Sequence, residues 1–150
     1  MADDRCTPTR PAPALICLAF ETVTAGIMRG LHEAGFDDLR PTHFLQVLRH
    51  LTGHGDRPAD LARLAGVTPQ AIGQTLAELE DMGYVRREPD PADQRSRRVF
   101  WAERGLRAGA ALEEHYASTE RRWAAAVGDD RLDSTRTLLA AIIGEEGSTS

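Results

Sequence analysis

Residues Thr68 to Val99 read TPQAIGQTLAELEDMGYVRREPDPADQRSRRV, and the character of the stretch changes halfway. Thr68 and Pro69 form an N-cap and first-position pair. Beyond them Ile72, Leu76, Leu79 and Met82 fall on one face of a helix, and Gln70, Gln74, Ala77 and Asp81 on the other. After Gly83 the period becomes extended. YVRRE and RRVFW are predicted as two short strands joined by the loop PDPADQRS, whose two prolines and polar turn formers suit a hairpin.

Outward from this stretch the chain reads as helices. Upstream, RPADLARLAGV is a short helix expected to turn Leu61, Ala62, Leu64 and Ala65 inward and to end at Gly66. With the helix after Thr68 it makes a helix-turn-helix unit. Ile16, Phe20, Val23, Ile27 and Leu31 predict a first helix over 13–34. Pro41 opens a second helix carrying Phe44, Leu45, Val47, Leu48 and Leu51 until TGHG stops it. Downstream, a helix is predicted from about Ala102 to Val127, then a last one carrying Leu132, Leu138, Leu139, Ile142 and Ile143.

The net charge of −5 hides an asymmetry. Between Arg86 and Arg107 seven arginines face four carboxylates, so this stretch is +3 and the remainder −8. Every basic residue in the chain is arginine, which composition bias alone can produce, so position is the signal. A helix dipole favours acids in the first turn, yet Glu78, Glu80 and Asp81 all lie in the second half of their helix. A solvated surface helix would show Gln70 and Gln74 just as well. The carboxylate-free start argues instead for insertion between phosphates, which a carboxylate there would oppose. Gly73 and Ala77 keep that face low, and glutamine can pair with adenine in the major groove.

The segment from Arg57 to Gly105 resembles the winged helix-turn-helix of the MarR family of bacterial transcription regulators, most specifically in DPADQRSRRV followed by AERG. The family often has arginine where Gln94 stands, and Leu-Thr where Trp101 and Ala102 stand. The resemblance implies a mostly α fold: a winged helix-turn-helix over 35–101 (three-helix core plus β-hairpin wing) flanked by N- and C-terminal dimerisation helices at 13–34 and 102–145. A disordered arm at 1–12 and a disordered tail at 146–150 complete the expected layout. It also implies that Asp93 and Arg95 form a D-x-R pair fixing the hairpin while arginine reaches the minor groove; a carboxylate can orient a guanidinium by paired hydrogen bonds. Arg97 and Arg98 point to opposite faces of a strand, so at most one is expected to face DNA. The expected DNA contacts are thus Thr68, Pro69, Gln70, Gly73, Gln74, Ala77, Asp93, Arg95, Arg97 and Arg98. MarR-like proteins commonly bind small aromatic or phenolic effectors between the dimerisation helices and the DNA-binding lobe. Phe20, Thr24, Met28, His32, His43, Trp101 and Tyr116 are the candidate liners.

A chain of 150 residues is expected to be one domain, with any second activity sharing the scaffold. Apolar stripes at both ends of the chain predict a homodimer, which would place two recognition helices about 34 Å apart on double-stranded DNA and read a pseudo-palindromic operator. No apolar run approaches the ~18 residues of a membrane span, and the opening MADDRCTPTRPAP is unlike a signal peptide, so a cytoplasmic protein without a membrane partner is expected. Cys6 and Cys17 do not form a disulfide framework. Cys17 on helix one leaves open a thiol-responsive regulator. The five histidines leave open a metal-responsive one, although Gly53 separates His50 from His54 and nothing completes a tetrahedral set. No Gly-rich phosphate loop, nucleophile elbow or metal motif argues for an enzyme or a cofactor. The rival from another class is a winged helix that binds protein, which would favour apolar residues at 70 and 74.

Overall fold

The structure, a computed structural model, describes residues 9–147. Its elements are α1 Ala12–Glu33, α2 Pro41–Gln46, α3 Pro58–Ala65, α4 Pro69–Asp81, β1 Val85–Asp90, β2 Asp93–Trp101, α5 Glu103–Val127 and α6 Asp129–Gly147. Most of the expected arm and tail, residues 1–8 and 148–150, lies outside the described residues. Within them α6 runs on through Gly147 instead of ending at GEEG, since one glycine at Gly144 weakens a helix without stopping it.

Local chemistry accounts for the helix-turn-helix. Gly66 takes a left-handed conformation (φ 66) that a side chain would strain. Its N–H donates to Arg63 O and that of Val67 to Ala62 O, the paired closure that satisfies the last carbonyls of α3. Two residues on, the Thr68 hydroxyl accepts the Ala71 N–H at 3.1 Å and Pro69 opens α4. Ile72, Leu76 and Leu79 are buried, in a core shared with Leu61, Phe44, Val47 and Tyr84. The inward face of α3 is narrower than its letters suggest: Leu61 and Ala62 are buried, but Leu64 is 51% exposed. The second helix is also shorter than expected. It ends at Gln46, and Val47 (φ −125, ψ −64) leads into a 3-10 turn at Leu48–His50.

The wing differs most from the sequence reading. Instead of PDPADQRS forming a long loop, β1 and β2 pair antiparallel from Val85↔Trp101 to Asp90↔Asp93, and only Pro91 and Ala92 make the turn. Pro89 is tolerated because β1 is the edge of the ribbon, where a missing N–H breaks no further ladder. On its other side β2 gains a rung from Asp56↔Val99, with N···O distances of 2.9 and 2.8 Å.

The first turns of α5 are fastened under α4 and β1. Tyr84, fully buried, donates its hydroxyl to Asp38 Oδ1 at 2.6 Å. Arg104 reaches both Asp38 oxygens (2.7 and 3.1 Å), with its guanidinium 4.5 Å above the Tyr84 ring. Burial pushes the Asp38 carboxyl up, but the Tyr84 and Arg104 contacts outweigh it and hold the carboxyl below its ordinary range. Ala102 has no side-chain oxygen to cap α5; its N–H donates instead to Tyr84 O. Gly105 permits this approach, because a Cβ there would lie 1.9 Å from the same carbonyl.

The chain divides into two compact units between Leu112 and Glu113, within α5. In the first, only the C-terminal part of α1 is buried, through Ile27, Met28 and Leu31, while Phe20 stays 49% exposed. An 18-residue window of α1 reaches a mean hydropathy of 1.5, long and apolar enough to cross a membrane by length and composition. This corrects the expectation that no such run exists: the alanines, glycine and threonines interrupt the large apolar letters without adding charge. Only 17% of that window is buried. The second unit is a helical hairpin of α5 and α6 tied by Arg136, which binds Glu120 and Asp133. Its apolar residues Trp123, Val127, Leu138, Leu139 and Ile143 are all exposed.

Candidate nucleic-acid interface

The outer face of α4 begins without charge. Thr68, Pro69, Gln70 and Gln74 are exposed, Gly73 and Ala77 half-buried, and no acid lies in the first turn. No carboxylate therefore opposes the positive end of the helix dipole where a phosphate would approach. The polar ties of α4 to the neighbouring elements start at Thr75. The Thr75 hydroxyl donates to Gln46 Oε1 on α2 at 2.7 Å. Glu78 meets His43 Nε2 at 3.0 Å and pairs with Arg40. Glu80 accepts from Arg87 on β1, through Nε at 2.7 Å and the backbone N–H at 3.1 Å. Both carboxyls are held below their ordinary range, Glu78 first by its hydrogen bond to His43 and Glu80 first by that from Arg87. Two of the three acids of the second half are thus engaged internally, while Asp81 is exposed.

In the wing, the D-x-R pair works differently from the expectation. Asp93 Oδ1 accepts the backbone N–H of Arg95 at 3.0 Å, and Oδ2 the Ser96 hydroxyl at 2.9 Å. The carboxylate shapes the turn and does not grip the guanidinium, because a short Asp side chain reaches the N–H two residues on more readily than the end of a long arginine. Arg95 and Arg97 are exposed, and among the described residues neither guanidinium makes a hydrogen bond; Arg97 contributes only at a distance to lowering Glu80. Arg98 is the inward member of its pair. It donates to Gly55 O at 3.0 Å, and its Nε lies 3.0 Å from Asp90 Oδ2, an ion pair by distance without hydrogen-bond angle. Of the expected contacts, Arg98 is therefore a brace.

Asp90 was not among the expected residues. It is 1% exposed at the tip of β1 and accepts from Ala92 N–H (3.0 Å) and from Arg57 (3.3 Å), the residue that precedes α3. With Arg98 it ties the wing to the helix-turn-helix. The Ala92 N–H, then Arg98 and Arg57, hold its carboxyl below the ordinary range. A depressed carboxyl contributes stability that is full above the unfolded value and is lost as pH falls through the folded one. The thermal midpoint of Asp90→Asn should therefore lie below that of the parent at neutral pH, and the gap should close as the pH is taken below the ordinary Asp range. A gap constant with pH would contradict this reading.

The candidate effector residues separate. Phe20, Thr24, Met28 and His32 line one open groove of about 670 Å³ with Pro41 and Leu45 of α2. His32 is oriented there by a 2.8 Å contact of Nε2 with Leu39 O. His43 is elsewhere, buried against Glu78. Trp101 lies against Gly53 and Gly105, and Tyr116 belongs to the second unit. Among the described residues no cluster of three or more His, Cys, Asp or Glu side chains could hold a metal, and Cys17 is free and exposed.

A helix-turn-helix with a neutral, exposed recognition face beside a wing carrying unengaged arginines defines the class of winged-helix DNA-binding proteins. The MarR family model matches residues 38–96. Among solved structures, that of MarR covers 95% of this chain and 95% of its own at 20% identity and a TM-score of 0.78. The transcriptional repressor CouR, bound to a 23-mer DNA duplex, covers 89% and 92% at 21% identity and 0.71. Transcriptional regulator PA4135 covers 90% and 98% at 25% identity and 0.68. No curated protein matches the chain by sequence. Residues 38–96 are thus similar to the MarR family of transcription regulators, and the fold is shared with the MarR, CouR and PA4135 structures.

Proposed function

We propose that the protein is a cytoplasmic homodimeric repressor that reads a pseudo-palindromic operator and is released from it by a small aromatic or phenolic effector. The observation that carries the DNA-reading part is the pairing of a carboxylate-free, exposed first half of α4 with Arg95 and Arg97, whose guanidiniums make no hydrogen bond among the described residues. Gln70 and Gln74 read base edges, and the two arginines meet the backbone or the minor groove. Selection from a random duplex pool at low salt tests it directly: a half-site repeated with two-fold symmetry is expected, and failure to enrich any sequence would point to a winged helix that binds protein.

The dimer is supported by what each unit leaves uncovered. Apolar surface gains by leaving water, and Leu138, Leu139 and Ile143 are exposed in the single chain, as is Phe20 on α1. A second copy supplies the cover, and the apolar character of α1 serves the same purpose.

The effector reading is supported by the groove that gathers Phe20, Thr24, Met28 and His32. A ligand shifts the equilibrium only if it binds the free and DNA-bound arrangements unequally. A genuine effector should raise the thermal midpoint of the protein and weaken operator binding by the factor with which DNA weakens the effector. Thermal-shift screening of aromatic acids and phenols, followed by titration with operator present, checks both. A stabiliser that leaves operator affinity unchanged is a bystander.

A further inference from the structure

The acids of α4 pose a question that DNA binding does not absorb: why a helix that approaches phosphates keeps three carboxylates. Two of them, with Thr75, supply its polar ties to the rest of the winged helix, and all of these ties lie in its second half. Before Thr75 the outer face has none, and Ile72 is the buried anchor of that half. The helix is held as a lever is held, by one end.

We propose that His43 and Glu78 form a positioning pair that sets the angle at which α4 presents Gln70 and Gln74, so that sequence discrimination depends on a contact remote from the bases. His43 is 1% exposed and both ring nitrogens are engaged. Nδ1 lies 3.1 Å from the Arg40 backbone N–H, which can only donate. Nδ1 is therefore the acceptor and Nε2 carries the proton, which it donates to Glu78 Oε2 at 3.0 Å, with the Arg40 guanidinium 3.1 Å from the same nitrogen. The backbone at the start of α2 thereby selects the tautomer that reaches the recognition helix. The Arg40 guanidinium, also paired with Glu78, completes the carboxylate's shell.

The effect of losing the tie follows from the length of the lever. Eight residues separate Gln70 from Glu78, about 12 Å of helix at 1.5 Å per residue. A tilt of about 5° at Glu78 moves Gln70 by about 1 Å, enough to take a hydrogen bond out of range. Wing contacts with the backbone tolerate such a shift, because long arginine side chains follow a phosphate. Specific binding should fall while non-specific binding stays.

The inference rests on α4 reading DNA, and its test separates the two. Duplex is selected with the unaltered protein, and affinities of Glu78→Ala, Glu78→Gln, His43→Leu and His43→Gln are measured on selected and scrambled duplex. Glu78→Ala and His43→Leu are expected to lower the ratio of the two affinities about tenfold, with affinity for scrambled duplex within about twofold. Glu78→Gln keeps an acceptor and His43→Gln offers an amide donor near Nε2, so both should recover most of the ratio. Glu78 is partly exposed, so Glu78→Ala carries the test if His43→Leu fails to fold. In the double variant Gln74→Ala/Glu78→Ala the losses should be less than additive. An unchanged ratio in Glu78→Ala, or equal loss on both duplexes with no rescue by glutamine, overturns the positioning role. If Gln74→Ala is silent while Glu78→Ala lowers the ratio, the assignment of Gln74 fails and the positioning pair stands.

Discussion

Gln74→Ala is expected to cost about 1–3 kcal/mol on the selected operator, relax discrimination at particular base pairs and leave the salt dependence of binding nearly unchanged. Gln70→Ala should behave alike. Arg95→Ala should instead weaken operator and scrambled duplex together and flatten the dependence of log affinity on log salt by about one unit per subunit. The difference follows from the partners. An amide reading a base edge releases no counterion, whereas an exposed guanidinium with no hydrogen bond among the described residues can replace one. Asp93→Ala should reproduce part of the Arg95 loss through the turn, because Asp93 holds the Arg95 N–H and the Ser96 hydroxyl. Affinities on both duplexes at several salt concentrations decide the matter. If the glutamine variants weaken both duplexes equally, or Arg95→Ala changes neither affinity nor slope, base reading and anchoring have been assigned to the wrong elements.

The second large effect is expected from the last helix. Leu139 and Ile143 are one helical turn apart on α6 and are 39% and 73% exposed, so glutamate at both positions should cost the single chain little. In a dimer that covers this face, the same changes bury two charges per subunit without partners, a penalty of several kcal/mol. Leu139→Glu/Ile143→Glu should therefore sediment as a folded monomer and lose most of its operator affinity, because one half-site contact remains. A variant that stays dimeric and binds normally would place the dimer contact elsewhere, and a parent protein that is itself monomeric would remove the argument altogether.

What was legible in the sequence was what neighbouring residues decide among themselves. Thr68, Pro69 and Gly66 mark their helix ends because cap and left-handed turn are closed by groups within five residues. Ile72, Leu76 and Leu79 declare the inner face of α4 by period alone, and the same period puts Gln70 and Gln74 outside. The alternation of strand side chains foretold that Arg97 and Arg98 diverge, but not which of them turns inward. That required Asp90 and Gly55, the latter far away in sequence and brought beside β2 by the Asp56 rung.

The same distinction explains the errors. Two prolines in PDPADQRS suggested a loop because proline lacks a donor, yet on a ribbon edge no donor is needed there. By sequence His43 stands beside residues that do share a groove. Its true surroundings depend on Glu78, thirty-five positions along the chain and near only once α2 and α4 pack. The sequence by itself determined the helix-turn-helix, the hairpin and the neutral start of α4, because hydrogen bonds over a few residues and the periodicity of apolar letters suffice for these. Only the tertiary structure decided which charges are engaged within the fold and which stay exposed, because ion pairing depends on distances between residues that the chain's order does not encode.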